Sequence, residues 1–251
     1  MLSKRVKVSV DRPLGTYHPE HRDLYYPINY GYIDGIIAPE GEEQEAYIIG
    51  IDEPVSEFDS IVIAIIHRNN DVEEKWVVAP EGSIFTKEEI ESAVHFQEQY
   101  FDFEIIMTEI KFYETVDETL PKFAVIAAKS NGKWVLCKHR ERDTYEFPGG
   151  HREKSEGIME TARRELYEET GALKYDVKPV CYYSVTAPNV FDGEETFGLF
   201  CYAEINEFEE ELHTEIEKII ITDELPTRWT YPLIQPVLLA ELNNRIKDYE
   251  C

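Results

Sequence analysis

Cysteine is scarce and unpaired in this sequence. Its 251 residues include four, Cys137, Cys181, Cys201 and Cys251, and no two of them form a CxxC pair. A zinc site is therefore not indicated. The scatter suits free, mostly buried thiols in a reducing compartment. Long apolar runs are missing as well. No stretch approaches the roughly 18 apolar residues of a membrane-crossing helix. The opening MLSKRVKVSVDRP has no apolar segment of the secretory kind. The expectation is a cytoplasmic protein with no membrane partner. Positive charge is also short. Lys and Arg number 25 against 51 Asp and Glu, a formal net charge of −26. Such a surface repels a phosphate backbone, which disfavours general nucleic-acid binding. Internal repeats and low-complexity tracts are absent too. Oligomeric state leaves no trace in the composition.

What is present can build a core. Hydrophobic residues make up 43% and aromatics 12%, which excludes wholesale disorder. The length fits one large domain or two small ones. Val6, Val8 and Val10 alternate with polar residues, the period of a half-buried strand. Residues 46–51 and 60–66 are short isoleucine-rich runs suited to buried strands, and residues 75–79 predict another. Thr86 and Glu89 form a capping box that opens a helix to about residue 100. Residues 1–106 thus read as a small β-rich domain with one helix, and residues 107–251 as a second domain. Its first elements are a hairpin, residues 123–128 and 134–137, turned by Asn131-Gly132. Pro148-Gly149-Gly150 follows as a tight loop. Ile158, Met159, Ala162 and Leu166 then recur at helical spacing. Strands are predicted near 177–186, 197–205 and 219–221, and a closing helix near 233–248. Strands flanking a central helix suggest a three-layer α/β/α unit with a mixed sheet.

The helix at 156–171 carries the chemistry. Glu165, Glu168 and Glu169 stand at i, i+3 and i+4, so they share one face. Like charges so placed repel by a few tenths of a kcal/mol per pair. A hard divalent cation explains that cost, because it wants carboxylate oxygens converging on one point. Ile158, Ala162 and Leu166 would bury the opposite face against the sheet.

From Gly150 to Ala172 the chain resembles the Nudix box, G-x5-E-x7-R-E-U-x-E-E-x-G-U. Glu156, Arg164, Glu165, Leu166, Glu168, Glu169 and Gly171 all stand in register. Only Ala172 departs, where a bulkier aliphatic residue is usual. The resemblance covers about residues 108–251. It implies a pyrophosphohydrolase that cleaves a nucleoside diphosphate linked to some group X. It also implies Mg²⁺, or Mn²⁺ in its place, as cofactor, and a small nucleotide as substrate. By the same resemblance Glu168, Glu169 and a Gly149 or Gly150 carbonyl bind the metal, and Glu165 is a further ligand or a base. Arg164 and Glu156 hold the carboxylates in place. A glutamate beyond the box serves as another ligand or base. Glu215 stands suitably, and Glu194 and Glu195 are its rivals. The stretch from Lys122 to the box, with Trp229 to Pro236, looks like a bacterial branch acting on oxidised purine triphosphates. Tyr182, Tyr183, Phe191 and Phe197 are candidates to stack on a base, or simply core.

Residues 1 to about 105 are similar to the soluble inorganic pyrophosphatase fold, a small β-barrel. The matching runs are Tyr26 through Tyr30 to Tyr32, then Glu40, Glu42 and Glu45, then Glu73 and Lys75. In that family the carboxylates of the metal motif are aspartates, and another aspartate aligns with Arg68. The extra methylenes and the added cation work against strict Mg²⁺ geometry. Three readings follow. The chain is a Nudix hydrolase with an appended module, a bifunctional enzyme whose first domain hydrolyses the pyrophosphate its second releases, or a nucleotide sensor without turnover.

Overall fold

The computed structural model describes residues 1–39, 41–69, 73–188, 193–209, 212 and 215–249. Glu40 and Phe191, both singled out above, lie outside these. The chain divides into two compact units, Met1–Thr108 and Glu109–Cys251.

In the first unit, β1 (Arg5–Arg12), β2 (Asn29–Ile37), β3 (Glu43–Ile48), β4 (Glu57–Arg68) and β5 (Glu74–Ala79) close into a barrel. The closure runs β1-β2-β3-β5-β4 and returns to β1, so none of the five keeps a free edge. Strand β6 (Phe103–Met107) is added outside β4. The isoleucine run of β4 is buried throughout, as a two-sided strand requires. Helix α1 (Lys87–Glu98) starts on the predicted capping box. Thr86 Oγ1 accepts from the Glu89 amide, and the Glu89 carboxylate accepts from the Thr86 amide.

The second unit is a mixed sheet between helices. Its strands are β7 (Glu109–Tyr113), β8 (Pro121–Ser130), β9 (Lys133–His139), β10 (Gly149–His151), β11 (Ala172–Thr186), β12 (Thr196–Phe208) and β13 (Ile216–Thr222). The order is β13-β9-β8-β12-β11-β7, with β10 beside β8. Asn131 and Gly132 both take positive φ, 52° and 79°, as the β8–β9 turn demands. Helix α2 (Ile158–Thr170) buries Ile158, Ala162 and Leu166 against Ala124, Ile126 and Ala128 of β8. Burying Leu166 alone contributes roughly 1.5–3 kcal/mol. Helix α3 (Gln235–Tyr249) packs Leu238, Leu239 and Leu242 on the other face, with Phe147, Tyr183, Phe200 and Trp229. Among the described residues no helix is long and apolar enough to cross a membrane.

Two segments differ from the sequence reading. Gly149–His151 is a strand rather than part of a loop, because β8 extends past β9 and leaves its edge open there. Glu109–Tyr113 is an edge strand paired only with β11. Its single pairing leaves its residues half-exposed, which hides the alternation.

Candidate active site

The site is built on one face of α2 and the strand that faces it. Gly157 opens the helix, its amide donating to the Glu160 carboxylate at 2.7 Å. Gly171 closes it in the left-handed region, at φ 69°. Arg164 is the hub. Its Nε and Nη2 donate to the two Glu156 oxygens at 2.7 and 3.1 Å, a bidentate pair. Its Nη1 donates to Glu165 at 2.8 Å and Glu168 at 2.9 Å. Nη2 also reaches the His151 carbonyl at 2.9 Å, which ties the helix to β10. Arg164, the peptide amide of Glu153 and the Thr161 hydroxyl hold the Glu156 carboxyl at about 2, well below the usual range.

Glu165 and Glu169 behave in the opposite way. Burial is the main cause in both. It raises Glu165 against the pull of Arg164, with Glu168 and Glu215 adding to the rise. Glu169 is pushed up to about 8 by burial, then by Glu146, Glu165 and Glu215, although the Gly149 amide bond opposes it. The cluster therefore holds more carboxyl groups than Arg164 alone can pair.

Strand β10 comes very close to it. A Cβ on Gly150 would lie 2.2 Å from Glu165 Oε1, so the glycine makes room for that carboxylate. Antiparallel residues alternate between bonding the partner strand and turning away from it. The Ile126 amide donates to the Pro148 carbonyl and the Arg152 amide to the Lys122 carbonyl, both at 2.8 Å. Gly150, opposite Ala124, falls in the same phase, so its carbonyl is committed to β8. Gly149 is out of phase. Its amide donates to Glu169 Oε2 at 2.8 Å, and its carbonyl shares that direction. Of the two glycines, Gly149 presents its carbonyl toward the carboxylates.

Glu215 ends the loop before β13, and its carbonyl accepts from the Arg140 amide at 3.0 Å. Its charge acts on both Glu165 and Glu169. Glu195 is engaged elsewhere, accepting from the Tyr113 and Ser184 hydroxyls at 3.0 and 2.7 Å. Glu194 is exposed beside it. Tyr183 is core at 1% exposure. Tyr182 is half-buried against the α2 cluster, and Phe197 stacks on Tyr113 at 5.6 Å.

Two residues near the site were not anticipated. Glu146 is buried, at 6% exposure, and burial raises its carboxyl despite Arg142 nearby. Gln235 is buried at the start of α3 and accepts from the Phe147 amide at 2.9 Å. Their signal is weak in one dimension, since neither belongs to the box spacing.

The barrel gathers a second polar group. Lys75 Nζ donates to the Tyr30 hydroxyl at 2.6 Å and pairs with Glu73 at 2.8 Å and with Glu45. Arg68 holds Glu98 bidentately, both bonds 2.8 Å, and pairs with Glu73. Tyr47 donates to Glu98, and Phe101 lies 3.6 Å beneath the Arg68 guanidinium. Tyr26 stacks on Tyr30 at 5.5 Å. So Tyr26, Tyr30, Glu45, Glu73 and Lys75 come together, whereas Glu42 is exposed outside the group. Among the described residues, in neither unit do three carboxylate, imidazole or thiol side chains converge closely enough to grip a metal as they stand. On α2 the Arg164 guanidinium lies between Glu165 and Glu168 and bonds both.

Residues 119–235 match the family model of the NUDIX domain. A Bacillus subtilis (strain 168) protein provisionally named 8-oxo-dGTP diphosphatase YtkD is 43% identical over 65 residues, 26% of this chain. Those residues span only 40% of that relative's length. Among solved structures, the Bacillus subtilis pyrophosphohydrolase BsRppH aligns with a TM-score of 0.48 and 26% identity. It covers 57% of this chain and 90% of its own. A UDP-X diphosphatase aligns at 0.41 and 17% identity, covering 66% and 74%. An inorganic pyrophosphatase from Ehrlichia chaffeensis aligns at 0.34 and 17% identity, covering 41% and 85%.

Proposed function

We propose that this chain hydrolyses the diphosphate linkage of a nucleoside diphosphate derivative, with a purine nucleoside triphosphate, oxidised forms included, as substrate and pyrophosphate as product. The observation that carries the reading is the set of carboxylates on and beside α2: Glu165 and Glu168 held by Arg164, Glu169 held by the Gly149 amide, and Glu215 near enough to act on Glu165 and Glu169 by its charge. The local likeness to the YtkD protein supports the choice of substrate.

The donor set fits a hard divalent cation: several carboxyl oxygens and one peptide carbonyl. Glu165, Glu168, Glu169 and the Gly149 carbonyl would hold Mg²⁺ or Mn²⁺. Such an ion, when bound, neutralises the phosphates and lowers the pKa of an attacking water. The protein's own work is different. Glu156 holds Arg164, and Arg164 holds Glu165 and Glu168 at fixed spacing. Glu215 or Glu165 accepts the proton that the water loses. The Gly149 amide keeps Glu169 facing the cluster.

A panel of nucleotides, sugar nucleotides and dinucleotides with Mg²⁺, with phosphate and pyrophosphate followed separately, identifies the substrate. Glu168→Gln keeps the shape and removes the charge, so kcat should fall by orders of magnitude with the circular dichroism unchanged. Turnover near that of the wild type would overturn the assignment. A sensor without turnover would show binding and no product across the panel.

A further inference from the structure

We infer that Gln235 is a positioning residue, whose side-chain carbonyl sets the backbone of residues 147–149 so that Gly149 faces the carboxylate cluster. The inference rests on the reading that this cluster holds a divalent cation.

The backbone amides of the segment can be accounted for one by one. Tyr145 donates to the Arg228 carbonyl at 3.1 Å and Glu146 to the Cys137 carbonyl at 3.0 Å. Phe147 donates to Gln235 Oε1 at 2.9 Å. Pro148 has no amide hydrogen. Gly149 donates to Glu169 Oε2 at 2.8 Å. Two of these four amides, those of Phe147 and Gly149, are held by side chains. They lie two residues apart: Gly149 turns off the edge of β8 by the ladder phase that commits Pro148 and Gly150 to that strand, and Phe147 is held from α3.

Gln235 thus braces the segment from α3 at Phe147, and Glu169 braces it from α2 at Gly149. The brace is buried. Gln235 is 2% exposed, and Phe147 is also 2% exposed, with its ring between Trp134 at 5.7 Å and Trp229 at 5.3 Å. Water cannot replace the acceptor there. A variant without it leaves a buried amide unpaired, a state that proteins avoid by shifting backbone. The nearest backbone free of the ladder is Gly149, which has no side chain to anchor it. The shift would therefore reach the carbonyl proposed to face the cation. Residues that orient metal-binding groups typically change affinity by about 10–100-fold when lost.

The test is Mn²⁺ binding to the full chain, followed by the electron paramagnetic resonance of free Mn²⁺. Gln235→Met matches the volume and lacks the acceptor. Gln235→Glu keeps an acceptor oxygen. We expect Gln235→Met to weaken Mn²⁺ binding about tenfold or more, and Gln235→Glu to bind at least as tightly as the wild type. Equal loss in both variants would make Gln235 a packing residue, and unchanged affinity in Gln235→Met would remove its role. Either result overturns the inference. If Gln235→Met does not fold, Gln235→Asn, one methylene too short to reach the Phe147 amide, should show the same loss. Unchanged binding in that variant overturns the inference equally. A wild-type chain that binds no Mn²⁺ would instead overturn the functional reading, and this inference with it.

Discussion

Three glutamates outside the helix compete for one role, and their surroundings separate them. Glu195 is already bonded to two hydroxyls, which hold its carboxyl below the usual range. That favours a fixed acceptor over a proton carrier. Glu215 instead lies near enough to raise Glu165 and Glu169 by its charge. We therefore expect Glu215→Gln to slow turnover by about 10²-fold or more, the usual scale of a lost general base. Glu194→Gln and Glu195→Gln should stay within a few-fold of the wild type. The measurement is kcat at saturating Mg²⁺ for the three variants side by side. If Glu195→Gln is the crippled one, the proton leaves by a route this placement does not describe.

At the scale of elements, β10 and α2 form one device, and the two glycines of β10 divide its labour. A Cβ on Gly149 would meet the Ala124 carbonyl oxygen at 2.3 Å, a backbone atom that cannot move without opening the β8–β10 pair. A Cβ on Gly150 would first meet the end of the Glu165 side chain. The variants should therefore fail differently. Gly149→Ala should lower Tm by several degrees, since ~1–3 kcal/mol is the usual cost of forced overpacking. Gly150→Ala should keep Tm nearly unchanged and lose activity, because Glu165 must leave its place. Calorimetry and a single nucleotide assay on both proteins decide it. A Gly150→Ala protein with full activity would mean that the position of Glu165 does not matter.

At the scale of the molecule, the two units hold their carboxylates differently. On α2, Glu156, Glu165 and Glu168 share the single cation Arg164, and Glu169 is held by the Gly149 amide. In the barrel, Glu45, Glu73 and Glu98 each pair with Lys75 or Arg68. The two cationic side chains and Glu98 are buried, so breaking these pairs is costly and the network resists exchange for a metal. We expect the full chain to release pyrophosphate from a nucleotide and to leave it intact. Feeding pyrophosphate alone, first with Mg²⁺ and then with the more forgiving Mn²⁺, should give no orthophosphate. Turnover that survives Glu168→Gln and is lost in Glu73→Gln would establish a second enzyme in the barrel.

The sequence by itself determined what depends on spacing along the chain. The order of residues from Gly150 to Gly171 already places Glu165, Glu168 and Glu169 on one face, because a helix repeats every 3.6 residues. The capping box at Thr86 and the Asn131-Gly132 turn were equally legible, since both are made by residues close in sequence. Tertiary structure decided what depends on distant strands meeting. Only the phase of the β8–β10 ladder tells Gly149 from Gly150. The sequence already favoured Glu215 by its place ahead of residues 219–221, but only the fold shows Glu195 bonded to Tyr113 and Ser184 and Glu215 acting on Glu165 and Glu169. Gln235 becomes visible only when α3 packs against the Phe147 backbone, 88 residues earlier in the chain. Likewise Arg68 reads as a misplaced cation in one dimension. In the folded barrel, Glu98 from α1 and Glu73 before β5 close on it, and it becomes the ion that pairs with both.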